Sequence, residues 1–69
     1  MMNDEIDWLF EYHAPTADQI FAMKQIRTDA KTLAHSINIC CPESGDKSAA
    51  IRLLRQCVQI ANASIVLER

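Results

Sequence analysis

"CPESGDKS", residues 41–48, decides the fold. Pro42 cannot continue a helix, and it pushes the residue before it out of the helical region. Ser44 or Asp46 can cap a new helix that starts at about Lys47, and Gly45 adds to the break. To the left, the spacing predicts a helix from about Ala17 to Cys40; to the right, one from about Lys47 to Leu67. Two long helices joined by a short loop form an antiparallel αα-hairpin.

The start of the first long helix is marked by Thr16-Ala17-Asp18-Gln19, a capping box. There the threonine oxygen accepts from the third helical amide and Gln19 reaches back. Asp18 suits a first turn, where the helix dipole favours negative charge. Pro15 closes off what precedes it, a short amphipathic lead-in over residues 4–12 with Ile6, Trp8, Leu9 and Phe10 as its apolar content. No run of alternating β-branched residues suggests a strand. The expected class is all-α: an antiparallel helical hairpin with a short N-terminal helical lead-in, one domain over residues 1–69.

With 69 residues, of which 49% are hydrophobic and 23% charged, the chain has a globular composition. So short a chain buries a limited core and commonly needs a disulfide, a metal or self-association to hold it. Three cysteines, Cys40, Cys41 and Cys57, are an odd count with an adjacent pair, a poor disulfide framework. No C-x-x-C or paired histidine cluster offers a zinc site. The cysteines therefore read as buried, reduced thiols acting as small apolar residues. Self-association is left as the stabiliser, and a homo-oligomer is expected.

Placing residues at roughly 100° steps puts Met23, Ile26, Ala30, Leu33, Ala34, Ile37 and Cys41 on one arc of the first helix, the expected hairpin seam. Lys24, Arg27, Lys31 and His35 fall within roughly 80° of one another on the adjacent arc, beside Thr28. Like charges three and four residues apart repel. Something negative should compensate them: a carboxylate of a neighbouring chain (Glu43, Asp46 or Glu68) or a phosphate. On the second helix, Ala50, Leu53, Leu54, Cys57, Val58, Ala61 and Ile65 form a broad apolar face, flanked by Ile51, Ile60 and Leu67. Arg52, Arg55, Gln56, Gln59 and Asn62 hold the other side. That face exceeds the stripe of about 100° that one partner helix requires, so the surplus should meet another subunit.

A net charge of −2 argues against a grip on duplex nucleic acid as the main task. No stretch approaches the ~18 uninterrupted apolar residues of a membrane span. The acidic N-terminus lacks the layout of a signal peptide, so a cytosolic protein is expected. No Walker, H-E-x-x-H or G-x-S-x-G motif occurs, and no nucleophile stands next to a base. No catalytic residue, metal or cofactor is expected, and the chain reads as a non-enzyme. Tyr12 and His13, just before Ala14-Pro15, are either a packing device at the helix start or half of a ligand site.

The landmarks Tyr12-His13-Ala14-Pro15-Thr16 with Gln19, Ile26-Arg27, Ala30-Lys31 and Leu33-Ala34 have counterparts in a known family. Cys41-Pro42-Glu43-Ser44, Lys47-Ser48-Ala50 and Ala61-Asn62-Ala63-Ser64-Ile65 continue the series. Over about residues 11–66 the chain resembles the hairpin domain shared by phage anti-CBASS protein two and the Thoeris anti-defence proteins. It departs from them at Ile60, where an aromatic is common, at Gly45-Asp46, and at Leu67. The resemblance implies a hexameric sponge in the cytoplasm of an infected bacterial host. Such a sponge binds cyclic dinucleotides between subunits, and in some members cyclic trinucleotides, without cleaving them, and so silences a CBASS effector.

Under that reading Arg27 makes forked hydrogen bonds to phosphate, and Lys24 and Lys31 add point charge. Tyr12 stacks on a base, while His13 and Thr28 bond a base edge or ribose. The competing expectation is a small oligomeric interaction protein that docks to a host protein.

Overall fold

The computed structural model describes residues 2–68 and contains three helices and no strand among them. Helix α1 spans Asn3–Phe10, α2 spans Ala17–Cys40 and α3 spans Gly45–Val66. The long first helix has the expected limits. The second begins two residues earlier than Lys47, because Ser44 is the cap: its Oγ accepts from the Lys47 amide at 3.1 Å. The lead-in is shorter than expected and stops at Phe10, where Glu11 turns to extended backbone (ψ 152°).

The capping box at the start of α2 forms in full. The Gln19 amide donates to Thr16 Oγ1 at 3.2 Å and the Thr16 amide to Gln19 Oε1 at 2.9 Å. Gln19 then does a second job: its Nε2 donates to the Ile65 carbonyl at 3.0 Å, tying the start of α2 to the end of α3. The other end of the hairpin is tied by Lys47. This side chain, 7% exposed, donates from Nζ to the Asn38 carbonyl at 3.0 Å and pairs with the Glu43 carboxylate. No basic residue lies in the last turn of α2, so the ammonium of Lys47 supplies the positive charge that a helix C-terminus favours. Glu43, one of the acids expected to reach a neighbouring chain, is engaged within its own.

Between these two ties lies a seam rather than a core. Met23, Ile26, Ala30, Ala34 and Ile37 of α2 are half-buried, as are Ala50, Leu54, Val58, Ala61 and Ile65 of α3. Among the described residues no hydrophobic side chain is fully buried. Two helices can cover only one strip of each other, and there is no third layer. The molecule measures 46 × 29 × 14 Å, a slab one helix thick. Its accessible surface of 5686 Å² compares with about 4,400 Å² for a compact monomer of this mass.

Five residues are placed otherwise than expected. Leu33 is 50% exposed and Cys41 is exposed, so neither belongs to the seam. Leu33 lies at the edge of its arc, and Cys41 lies past the end of α2, where the chain has already turned. Cys40, Cys41 and Cys57 are all exposed free thiols, not buried apolar fillers. Asn62, assigned to the polar side of α3, is half-buried instead. On α3 the apolar arc divides: Leu54, Val58 and Ala61 enter the seam, while Leu53 and Ile60 stay exposed.

Candidate functional site

Along one face of the hairpin, α2 and α3 together line an open groove of ≈ 370 Å³. Its floor is apolar: Ala30 and Ala34 from α2, Ile51, Leu54 and Val58 from α3. The small alanines of α2 leave the space, because a longer side chain at either position would fill it. The rim is polar and cationic, with Arg27 and Lys31 on the α2 wall and Arg55 and Gln59 on the α3 wall.

Among the described residues, the one ion pair within 4 Å is Lys47–Glu43, so all three rim cations are without an acidic partner. Three unpaired charges along one apolar trough produce a positive potential that attracts anions. Arg27 and Arg55 present planar guanidinium forks, suited to bidentate contact with phosphate or carboxylate oxygens. The volume falls in the range of ~300–1,000 Å³ typical of small-molecule sites. The arrangement can hold a flat, partly apolar anion. Among the described residues, no group of three or more His, Cys, Asp or Glu is placed to hold a metal ion. Nor is any helix among them long and apolar enough to cross a membrane.

Of the six residues singled out in the sequence, Arg27 and Lys31 meet in the groove. Lys24 and Thr28 lie outside it on the exposed flank of α2, where the Thr28 hydroxyl donates to the Lys24 carbonyl at 2.9 Å. Tyr12 and His13 sit in the segment before α2 and do not line the groove of their own chain. Tyr12 is 88% exposed. His13 is half-buried, its ring tilted against Trp8 with centroids 4.2 Å apart and its Nε2 bonded to the Trp8 carbonyl. His13 therefore forms the elbow that links α1 to α2, while Tyr12 beside it points a free aromatic face outward.

Arg55 and Gln59 were read only as a polar side of the second helix. Their signal lay in the hairpin register. Counting outward from the loop of residues 41–44 brings Arg55 to within one residue of the level of Lys31, and Gln59 to within one of Arg27. One buried polar atom is also unaccounted for within the chain: Asn62 Oδ1 has no hydrogen-bond partner.

The geometry defines a helical-hairpin protein with a cationic, apolar-floored groove between its two long helices. A family model described as Acb2/Tad1, hairpin domain, matches residues 2–66, nearly the whole chain. The chain belongs to that family, and membership carries the implication of phage anti-defence. No curated protein and no solved structure matches it.

Proposed function

We propose that the chain is an anti-defence sponge that binds and sequesters cyclic oligonucleotide second messengers without cleaving them. The observation that supports this most is the row of unpaired cations, Arg27, Lys31 and Arg55, around an apolar trough within the family's hairpin. A cyclic dinucleotide offers two phosphates for the cations and base faces for apolar or aromatic surfaces. Arg27 and Arg55 fork onto phosphate, and Lys31 adds charge. Lys24, just below on the same helix, extends the positive field. Tyr12 stacks on a base, a contact worth ~1–3 kcal/mol in single-strand binders. Since Tyr12 lies outside its own groove, the tyrosine and the cations are brought together by different subunits of an oligomer, a hexamer by family resemblance. His13 and Thr28 fill the lesser role of bonding a ribose or base edge nearby. Cyclic trinucleotides are further candidate ligands. The setting is the cytoplasm of the infected bacterium, where messenger withdrawal keeps a CBASS effector silent.

The test is native mass spectrometry of the purified protein with a panel of cyclic di- and trinucleotides, followed by the intact mass of what is released. An oligomer that retains and returns whole cyclic dinucleotides supports the sponge. Cleaved product would make the protein an enzyme. A second reading, a small oligomeric interaction protein, draws on the exposed apolar side chains Leu53 and Ile60. A sponge gains thermal stability with cyclic dinucleotide through ligand linkage, and a docking module does not.

A further inference from the structure

The short helix α1 differs in charge from everything that follows it. It carries Asp4, Glu5 and Asp7 and no base. At 100° per residue, Met2, Ile6, Leu9 and Phe10 share an arc of about 100°, with Glu5 beyond one edge and Asp7 beyond the other. All four apolar side chains are exposed, Phe10 at 86%. Trp8, which faces His13 at the elbow, lies on the opposite side of α1, so the elbow contact leaves the apolar arc open. Among the helices, only α2 and α3 pack on each other. An amphipathic helix with its apolar face in water is an unfinished interface.

The groove between α2 and α3 has the complementary pattern. Its floor is apolar, and cations stand on both walls: Arg27 and Lys31 on one, Arg55 on the other. The lengths agree too. Arg27 to Ala34 spans roughly 10 Å of α2, against roughly 12 Å for the eight residues of α1. Within one chain the two are kept apart, because the elbow is fixed at Trp8 and His13 and Arg27 stands about 15 Å along α2 from its first residue.

We propose that α1 of one protomer seats in the α2–α3 groove of a second copy, its apolar arc on the floor and Glu5 and Asp7 against the rim cations. Twofold exchange of arms satisfies both chains at once. The contact does not depend on the cyclic-nucleotide reading. If that reading also holds, a phosphate and the arm's carboxylates contend for the same cations.

The experiment is sedimentation analysis of the full chain without any nucleotide, with helicity followed by circular dichroism. Glu5→Lys/Asp7→Lys reverses the arm, and Lys31→Glu/Arg55→Glu reverses the groove. Each variant alone should lose at least tenfold in association. An equimolar mixture of the two should recover assembly, since the reversed arm of one fits the reversed groove of the other. A variant that assembles like the parent overturns the proposal, as does a mixture no better than its components. So does a chain carrying all four substitutions that recovers compactness but stays monomeric, since its arm then sits in its own groove. The arm variant lies outside the hairpin, so its loss of assembly with helicity intact reads the contact even where the groove variant unfolds. Absence of nucleotide binding by the parent would remove the proposed function and leave these results standing.

Discussion

Arg55 faces Lys31 across the groove, and the two cations have no acid of their own. Removing a charged hydrogen-bond donor to phosphate costs about 1.5–3 kcal/mol. Arg55→Ala should therefore weaken cyclic-dinucleotide binding by roughly ten- to a hundredfold in calorimetry. Tyr12→Ala and Arg27→Ala should abolish binding in the same assay; Tyr12 lies outside the groove, so its variant should keep the oligomer's mass, and disassembly would make it a structural residue. Lys47 makes a contrasting case. Its ammonium is buried against the Asn38 carbonyl at the end of α2. Lys47→Ala strands that acceptor and should lower unfolding free energy by about 1–3 kcal/mol, read from urea titrations at fixed protein concentration. At this scale the sequence was partly legible. The clustering of Arg27 and Lys31 follows from helical spacing alone. Arg55 and the buried setting of Lys47 depend on where α3 lies against α2, which no single-helix projection contains. Asn62 escaped for the same reason: it lies on the margin of the arc that α3 turns inward.

The elements were the most legible part, because each carries its own punctuation. The Thr16–Gln19 box set the start of α2, and Pro42 with Ser44 set the hinge. The two-residue error at the start of α3 came from choosing between two caps, Ser44 and Asp46, that the sequence offered equally. Gly45 turned out to be the first residue of α3. It has no positive φ, and a Cβ there would meet nothing within 4 Å. Gly45→Ala should therefore raise stability by about 0.4–1 kcal/mol by narrowing the unfolded ensemble. A fall in the urea midpoint would mean that the glycine serves a contact outside the single chain. Cys40 and Cys57 show where element reasoning failed. Small apolar residues near a seam were expected inside it, but a two-helix seam is too narrow to take every apolar side chain on the arc.

For the whole molecule, the informative quantity is what remains uncovered. A 69-residue hairpin with no fully buried hydrophobic side chain among its described residues has little of its own to set against the entropy of ordering the chain. Its melting temperature should rise with protein concentration over the micromolar range, as it does when folding and association are one equilibrium. A concentration-independent transition would show the hairpin standing alone. Ile60→Glu, at a site 71% exposed, should shift the equilibrium toward free chains if that side of α3 is covered by another subunit. The thinness of the slab has a consequence for timing inside a cell. When folding needs several chains to meet, its rate climbs as a power of their number, and newly made chains below the threshold are exposed to proteolysis. Protection would then begin abruptly at a dose set by synthesis against degradation, and the sharpness of that onset would count the subunits.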